Sequence, residues 1–341
     1  MKSEATARRD AGRPDGGWSM TKSSSWFSRQ LPLLVTAAIF VALFLTAAHF
    51  YEGFFSARVF IDLLSENAFL GIAAVGMTLV IFSGGIDLSI GAVIGFTSIF
   101  MATLIEKHHV APGLAWALGL AAGAGFGAGM GALIHFFRLP PFLITLAGMF
   151  LARGAGFWIS TESINIGHEL YGRISGYEWV FGSVAISARA LFLLAVMFAG
   201  WVVAHHTRFG RTLLAMGGNE QSALLMGLPI GPAKVGVYAV NGLCAALAGI
   251  VFTLYTSSGD ASKGLGLELD AIAIVVMGGT LLTGGRGQMI GTLLGVLIFG
   301  TIQSAILFDG RLDSAWMRIV VGGLLLVFIL LQRFFLRKKR T

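Results

Sequence analysis

The feature that most constrains this chain is the recurrence of apolar runs about twenty residues long. A helix rises about 1.5 Å per residue, so roughly 20 residues cross the hydrocarbon core of a bilayer. Ten segments reach or approach that length: about 31–50, 64–83, 88–106, 112–136, 140–160, 189–205, 234–256, 268–283, 288–307 and 315–335. Only glycine-rich turns separate the second from the third and the eighth from the ninth, so eight or nine spans fit the same pattern. Barrel strands would alternate apolar and polar residues over about ten positions, and no such alternation occurs. The expectation is an all-α, polytopic transmembrane helix bundle.

Charge supports this reading. Only 12% of residues are charged, about half the share of a soluble domain. The formal charge of +7 comes from basic residues at the ends of apolar runs, which points to membrane topology rather than nucleic acid. With ten spans and the N-terminus inside, sixteen Lys and Arg fall on cytoplasmic segments and seven outside, while Arg153 lies within the membrane. That bias predicts an inner-membrane protein with both termini cytoplasmic. Residues 1–30 read as a disordered basic tail, 31–335 as the membrane domain and 336–341 as a basic cytoplasmic end. Leu31–Phe50 is too long for a signal-peptide core and reads as a retained helix. The single cysteine, Cys244, lies inside an apolar run and excludes an intramolecular disulfide.

Within the second and third runs stands IFSGGIDLSIG, residues 81–91. An Asp at the centre of a spanning helix costs about 2.5–3.5 kcal/mol on insertion scales. Gly84-Gly85 offers a break whose freed backbone groups need polar partners. Two readings fit Asp87: a cap on the following helix, shared with Ser83, or, with Ser89, a contact in a translocation pathway. Glu268 and Asp270 open the eighth span on the outer side, where acids favour the helix dipole; the alternative is an outer vestibule. Asn67 and Asn241 read as interhelical hydrogen-bonding residues, with Asn67 also a pathway candidate.

Sliding the chain by 200 residues aligns 72–95 with 272–295 at nine identities in 24 positions, including Gly84-Gly85 with Gly284-Gly285, Gly91 with Gly291 and Gly95 with Gly295. Shared composition is one explanation; the other is a duplicated helix–turn–helix unit of the kind that marks transport pathways. Gly119, Gly123, Gly127 and Gly131 recur every fourth residue on one helix face, a surface for close helix packing. Mid-span and without a preceding strand, they cannot form a nucleotide loop.

Catalytic and metal-binding signals are absent. The dipeptide Gly-Lys never occurs, so there is no P-loop, and there is no HExxH. If ATP drives the process, another subunit binds it. The most specific signal is RFGRTLLAMGGNEQSALLMGL, residues 208–228. Gly217-Gly218 breaks one helix, Asn219 or the turn after it can cap a short helix over Glu220–Met226, and Gly227 ends it. Gln221, Ser222 and Ala223 lie in that short helix. A rigid, capped helix between two spans suits a lever.

The segments SGGIDLSIG, GNEQSALLMGL and ELDAIAIVVMGGTLLTGGRG together resemble the membrane permeases of ribose/xylose/galactose-type ABC sugar importers over about residues 31–333. FLGIAAVGMTLVIFSGGIDLS, LITLAGMF and TRFG are most similar to the galactofuranose-type permease. The resemblance implies a type II-like permease fold and import of a monosaccharide. It also implies a second permease copy or paralogue, a cytoplasmic ABC ATPase, an extracytoplasmic sugar-binding protein and a coupling role for 217–228. Gln221-Ser222, Leu224 and Leu228 depart from the family's frequent Ala-Ala, Arg and Ile. The binding protein would touch residues 161–188 and the loop near 257–267. An ion-coupled secondary transporter using Asp87 or Asp270 is the competing class.

Overall fold

The computed structural model describes residues 22–181, 184–311 and 314–337, with side chains from 33 to 331 outside 181–184 and 312–314. The first helix, α1 (Lys22–Phe50), starts inside the stretch expected to be a disordered tail. Its 29 residues exceed the length needed to cross the hydrocarbon core by about two turns. Residues 1–21 and 338–341, which hold the rest of the expected tail and most of the basic end, lie outside the described residues.

Helices α2 (Ala57–Glu66) and α3 (Ala68–Phe82) form one path bent by 61° at Asn67. Every α3 residue except Phe69 is buried, which is why it is apolar on all sides rather than amphipathic. Next come α4 (Ile90–Ala102, continued by a π turn over Thr103–Lys107), α5 (Pro112–Phe136) and α6 (Pro141–Ile159). Both α5 and α6 start with proline in the first turn, where its missing N–H costs no helical bond.

A short strand β1 (Ile164–Asn165), helix α7 (Glu169–Ser175) and a hairpin of β2 (Glu178–Phe181) with β3 (Val184–Ser187) lead into α8 (Ala188–His206). Then follow α9 (Arg208–Gly218), α10 (Glu220–Leu225) and α11 (Ile230–Thr256). After α11 come β4 (Ser258–Gly259), a 3-10 turn over Ala261–Gly264, α12 (Leu267–Met277), α13 (Met289–Asp309) and α14 (Ser314–Arg337). Among the described residues seven helices are long and apolar enough to span a membrane, or eight if the bent α2–α3 pair is one span. The count falls below ten because α3 and α12 have only 15 and 11 residues, and because the apolar stretch Ala315–Leu331 of α14 is also shorter than a span. Helices α3 and α12 each lead through a glycine-rich turn to the next helix within the bundle.

Helix α11 lies at the centre, against α3, α4 and α5. At the end opposite α9 and α10, β1 pairs antiparallel with β4, joining Ile164 to Gly259. The two outer segments expected from the sequence are therefore one structure. Tyr171 of α7 is buried there; its hydroxyl accepts from Trp116 Nε1 at 3.0 Å and lies 3.2 Å from the Thr253 hydroxyl.

Candidate translocation and coupling site

The two repeat units carry the same backbone device. Gly84 and Gly284, aligned in sequence, both have φ of +80°, a left-handed conformation that glycine adopts without the penalty a side chain would bring. Their turns are in contact: a Cβ on Gly284 would lie 2.7 Å from Gly84 Cα. The Gly285 amide donates to the Phe82 carbonyl at 3.0 Å, tying the second break to the end of α3. A third glycine pair closes the junction. A Cβ on Gly217 would overlap the Phe82 carbonyl oxygen, and one on Gly285 would meet Gly218 Cα at 2.6 Å. Three segments more than 60 residues apart thus meet backbone to backbone.

From that junction α9 runs into a turn at Asn219, whose Oδ1 accepts the Ser222 amide at 2.8 Å and caps α10. Gly227, at φ +76°, closes the helix, with Gly227 N–H to Leu224 O at 2.9 Å and Leu228 N–H to Ala223 O at 3.2 Å. The short helix and both its ends are those expected, except that Met226 forms the C-cap rather than the last turn. Ala223 is buried against the bundle, while Leu224, Leu225 and Met226 are exposed, Leu225 at 89%. Three exposed apolar side chains, two at the end of the short helix and one at its C-cap, form a surface suited to a protein partner. Glu220, beside them, is paired with Lys234 Nζ at 2.7 Å; Gln221 and Ser222 are exposed.

Asp87 follows the first break and is 1% exposed. Its Oδ1 accepts from the Ser89 amide and hydroxyl, each at 2.7 Å, and its Oδ2 from Asn241 Nδ2 of α11 at 2.7 Å. The carboxylate therefore closes an Asx turn just before α4, whose N-cap is Ser89, rather than capping the helix itself, and ties this turn to the central helix. Asp87, Ser89 and Asn241 are all buried in this conformation. Tyr238, one turn before Asn241, lies against Gly85, and its hydroxyl has no hydrogen-bond partner among the described residues.

The other expected residues lie elsewhere. Asn67 sits at the α2–α3 bend, where its Nδ2 donates to Leu63 O at 3.0 Å and faces Gly300 of α13. Glu268 and Asp270 do not stand at the outer rim. Residues 258–266 descend alongside α4: Ser98 Oγ donates to Asp260 O at 3.1 Å, Gly95 meets Ala261, and Gly91 meets Gly264 and Glu268. A sequence has no term for such a dip, because the descending segment is neither helical nor strongly apolar. Glu268 therefore lies beside the first turn of α4, with Arg153 Nη2 of α6 at 3.8 Å. Asp270 is within electrostatic reach of Arg318 on α14.

The glycine stripe of α5 faces α11 through three members. A Cβ on Gly123, Gly127 or Gly131 would meet, respectively, Gly242 O, Tyr238 O and Val235 Cα; Gly119 instead takes up Met101 of α4. No side chain separates the two backbones there, and this close approach sets the position of Asn241 relative to Asp87.

Arg153 is the residue whose importance the sequence left unassigned. A lone arginine within a span was the available signal, since an intramembrane cation calls for a named partner.

Comparison with known proteins agrees with this architecture. The model of a family described as "Branched-chain amino acid transport system / permease component" matches residues 59–330. The inner membrane ABC transporter permease protein YjfF of Escherichia coli (strain K12) is 50% identical over 306 residues, covering 89% of this chain and 92% of the relative. The ribose import permease protein RbsC of Bacillus subtilis (strain 168) is 41% identical, covering 80% and 84%. The fructose import permease protein FruG of Bifidobacterium longum (strain NCC 2705) is 37% identical, covering 89% and 91%. No solved structure matches the chain. A family match over residues 59–330, with relatives 37–50% identical over 80–89% of the chain, leads to one assignment: the chain belongs to this permease family, the membrane-spanning subunits of ABC importers.

Proposed function

We propose that this chain is the permease of an ATP-driven importer of a monosaccharide, working as a dimer with a second copy or a paralogue. The observation that carries the mechanism is the junction of Gly217-Gly218 with both repeat breaks. A push on α10 reaches, through α9, the two glycine breaks that join α3 to α4 and α12 to α13. The ATPase docks on Leu224, Leu225 and Met226, with Glu220 at the rim, and supplies both the nucleotide site and the force. The end carrying α9 and α10 is cytoplasmic, in line with the excess of basic residues there. The sugar-binding protein docks at the opposite end, on the surface built from α7, the β2–β3 hairpin and the β1–β4 pair. Exposed Tyr177, Trp179 and Val180 supply apolar contact area there.

Cargo is a separate matter. The family description names branched-chain amino acids, whereas the relatives' names specify ribose and fructose. The 37–41% identity to permeases named for fructose and ribose favours a sugar, and the resemblance to the galactofuranose-type permease makes galactofuranose the first cargo to assay. The test is uptake into proteoliposomes holding the permease, its ATPase and its binding protein. Uptake that needs ATP and the ATPase supports the reading. Uptake by the permease alone under a proton or sodium gradient would replace it with ion-coupled transport, a mechanism that gives α10 no task.

A further inference from the structure

We infer that Arg153 and Glu268 form a hydroxyl-binding station on the pathway, and that the face between α6 and α12 is the side of the bundle that lines it. This inference rests on the sugar-importer reading above. Three observations carry it. First, the pair is unfinished. Arg153 Nη2 and Glu268 Oε1 are 3.8 Å apart, beyond hydrogen-bond reach, and both Nη2 and Glu268 Oε2 are buried with no hydrogen-bond partner among the described residues. A donor and an acceptor left open side by side are what a sugar hydroxyl satisfies, since it accepts from the guanidinium and donates to the carboxylate.

Second, the pair stands where α4 and the short helix α12 begin. Helix α4 and helix α12 start beside one another, Gly91 against Gly264 and Glu268. Discontinuous helices that meet within the membrane build the substrate sites of many carriers. The absence of a Cβ at Gly91 gives the Glu268 carboxylate its place over the first turn of α4.

Third, the pair is not sealed. The Arg153 and Glu268 side chains are 18% and 11% exposed, and Leu265 and Leu269, on either side of Glu268 in the chain, are exposed. Asp270 and Arg318 continue the charge along the same helix neighbourhood. A charged strip within the membrane cannot face lipid cheaply; it faces a water-filled path or another protein. By contrast, the cavity of about 350 Å³ between α4, α5 and α6 is lined by Val93, Phe96, Phe126, Leu151 and Ala152, among others, and its side chains offer a hydroxyl nothing.

The experiment uses the complete transporter in proteoliposomes. Glu268→Gln keeps the shape of the side chain and removes its charge. A hydrogen bond to a charged group is worth about 1.5–3 kcal/mol, so uptake per ATP hydrolysed is expected to fall about tenfold or more. The monodeoxy analogue lacking the bound hydroxyl should lose far less, because it never made the bond. Equal losses for the parent sugar and every monodeoxy analogue would make the pair a structural latch and overturn the station. A second arm does not depend on the pair. In a Cys244→Ala background, Leu269→Cys should react with a charged, membrane-impermeant methanethiosulfonate, and Leu118→Cys, on the exposed side of α5, should not. A Leu269→Cys that reacts only with a lipid-soluble maleimide overturns the assignment of the face, even if Glu268→Gln fails to assemble. A wild-type transporter that moves no monosaccharide in this assay refutes the cargo reading instead, and the thiol arm still judges the face.

Discussion

The two glycine breaks align in sequence and are held by different chemistry. In the first, the residue two places after the glycine pair is Asp87, and its carboxylate ties α4 to Asn241 at 2.7 Å. In the second, the aligned residue is Gly287, and no acid stands there. There the Leu281 amide donates to Arg286 O at 3.2 Å, Gly287 packs against Phe82 and Thr280, and the Met289 amide donates to His205 Nε2 of α8 at 3.3 Å. Ser89, the N-cap of α4, aligns with Met289. The two breaks share the glycine turn and differ in how it is fastened. One break is pinned by a buried polar tie to the central helix, and the other is free of it.

Making the second break resemble the first is expected to have the largest effect. Gly287→Asp places a carboxylate where its Cβ would strike the Phe82 ring and no Asn241 equivalent awaits it. An unpaired charge of this kind is costly enough to prevent folding, so no folded, monodisperse protein should be recovered from detergent. Normal yield would show that the second break has room and partners for an acid.

Weakening the first break should cost less. Asp87→Asn can still accept from Ser89, and it can pair with Asn241 once that amide turns over to present its open Oδ1, but these bonds lose their charge assistance. That loss costs about 1 kcal/mol, which should appear as a lower thermal midpoint in detergent. The swapped double variant Asp87→Asn/Asn241→Asp restores a carboxylate opposite an amide and should recover part of the loss. Absence of recovery would mean that the carboxylate acts as more than a tie, for instance on the cargo.

The lever between the breaks comes next. Gly217→Pro leaves the polar tie alone but alters the backbone that wedges against Phe82 and Gly285. ATPase docking and basal hydrolysis should survive in part while sugar uptake falls about tenfold or more, the cost of a misplaced coupling geometry. Wild-type uptake would show that α9 and α10 are only a connector. The smallest effect is expected from Glu220→Lys, at the exposed end of the lever. Its pair with Lys234 is worth well under about 1 kcal/mol to stability. The measurable change should be weaker ATPase capture at low ionic strength, fading as salt screens the charges.

What the sequence determined by itself is what local chemistry dictates. Apolar runs of spanning length, the Gly84-Gly85 and Gly284-Gly285 turns, and the Asn219 and Gly227 ends of α10 are all readable because each depends on neighbours within a few residues. The tertiary structure decided the rest. Asp87 and Asn241 are 154 residues apart in the chain, and nothing at either position names the other. Glu268 reads as the outer start of a span because its flanks are apolar; only the descent of 258–266 along α4 places it beside Arg153. Two of the ten segments became half-length helices because backbone contacts between glycines let turns sit inside the bundle, where an isolated segment would leave its peptide groups unpaired. The meeting of Gly217-Gly218 with both breaks has the same origin. Glycine marks where backbones can touch, but which backbones do so is settled only when the whole bundle packs.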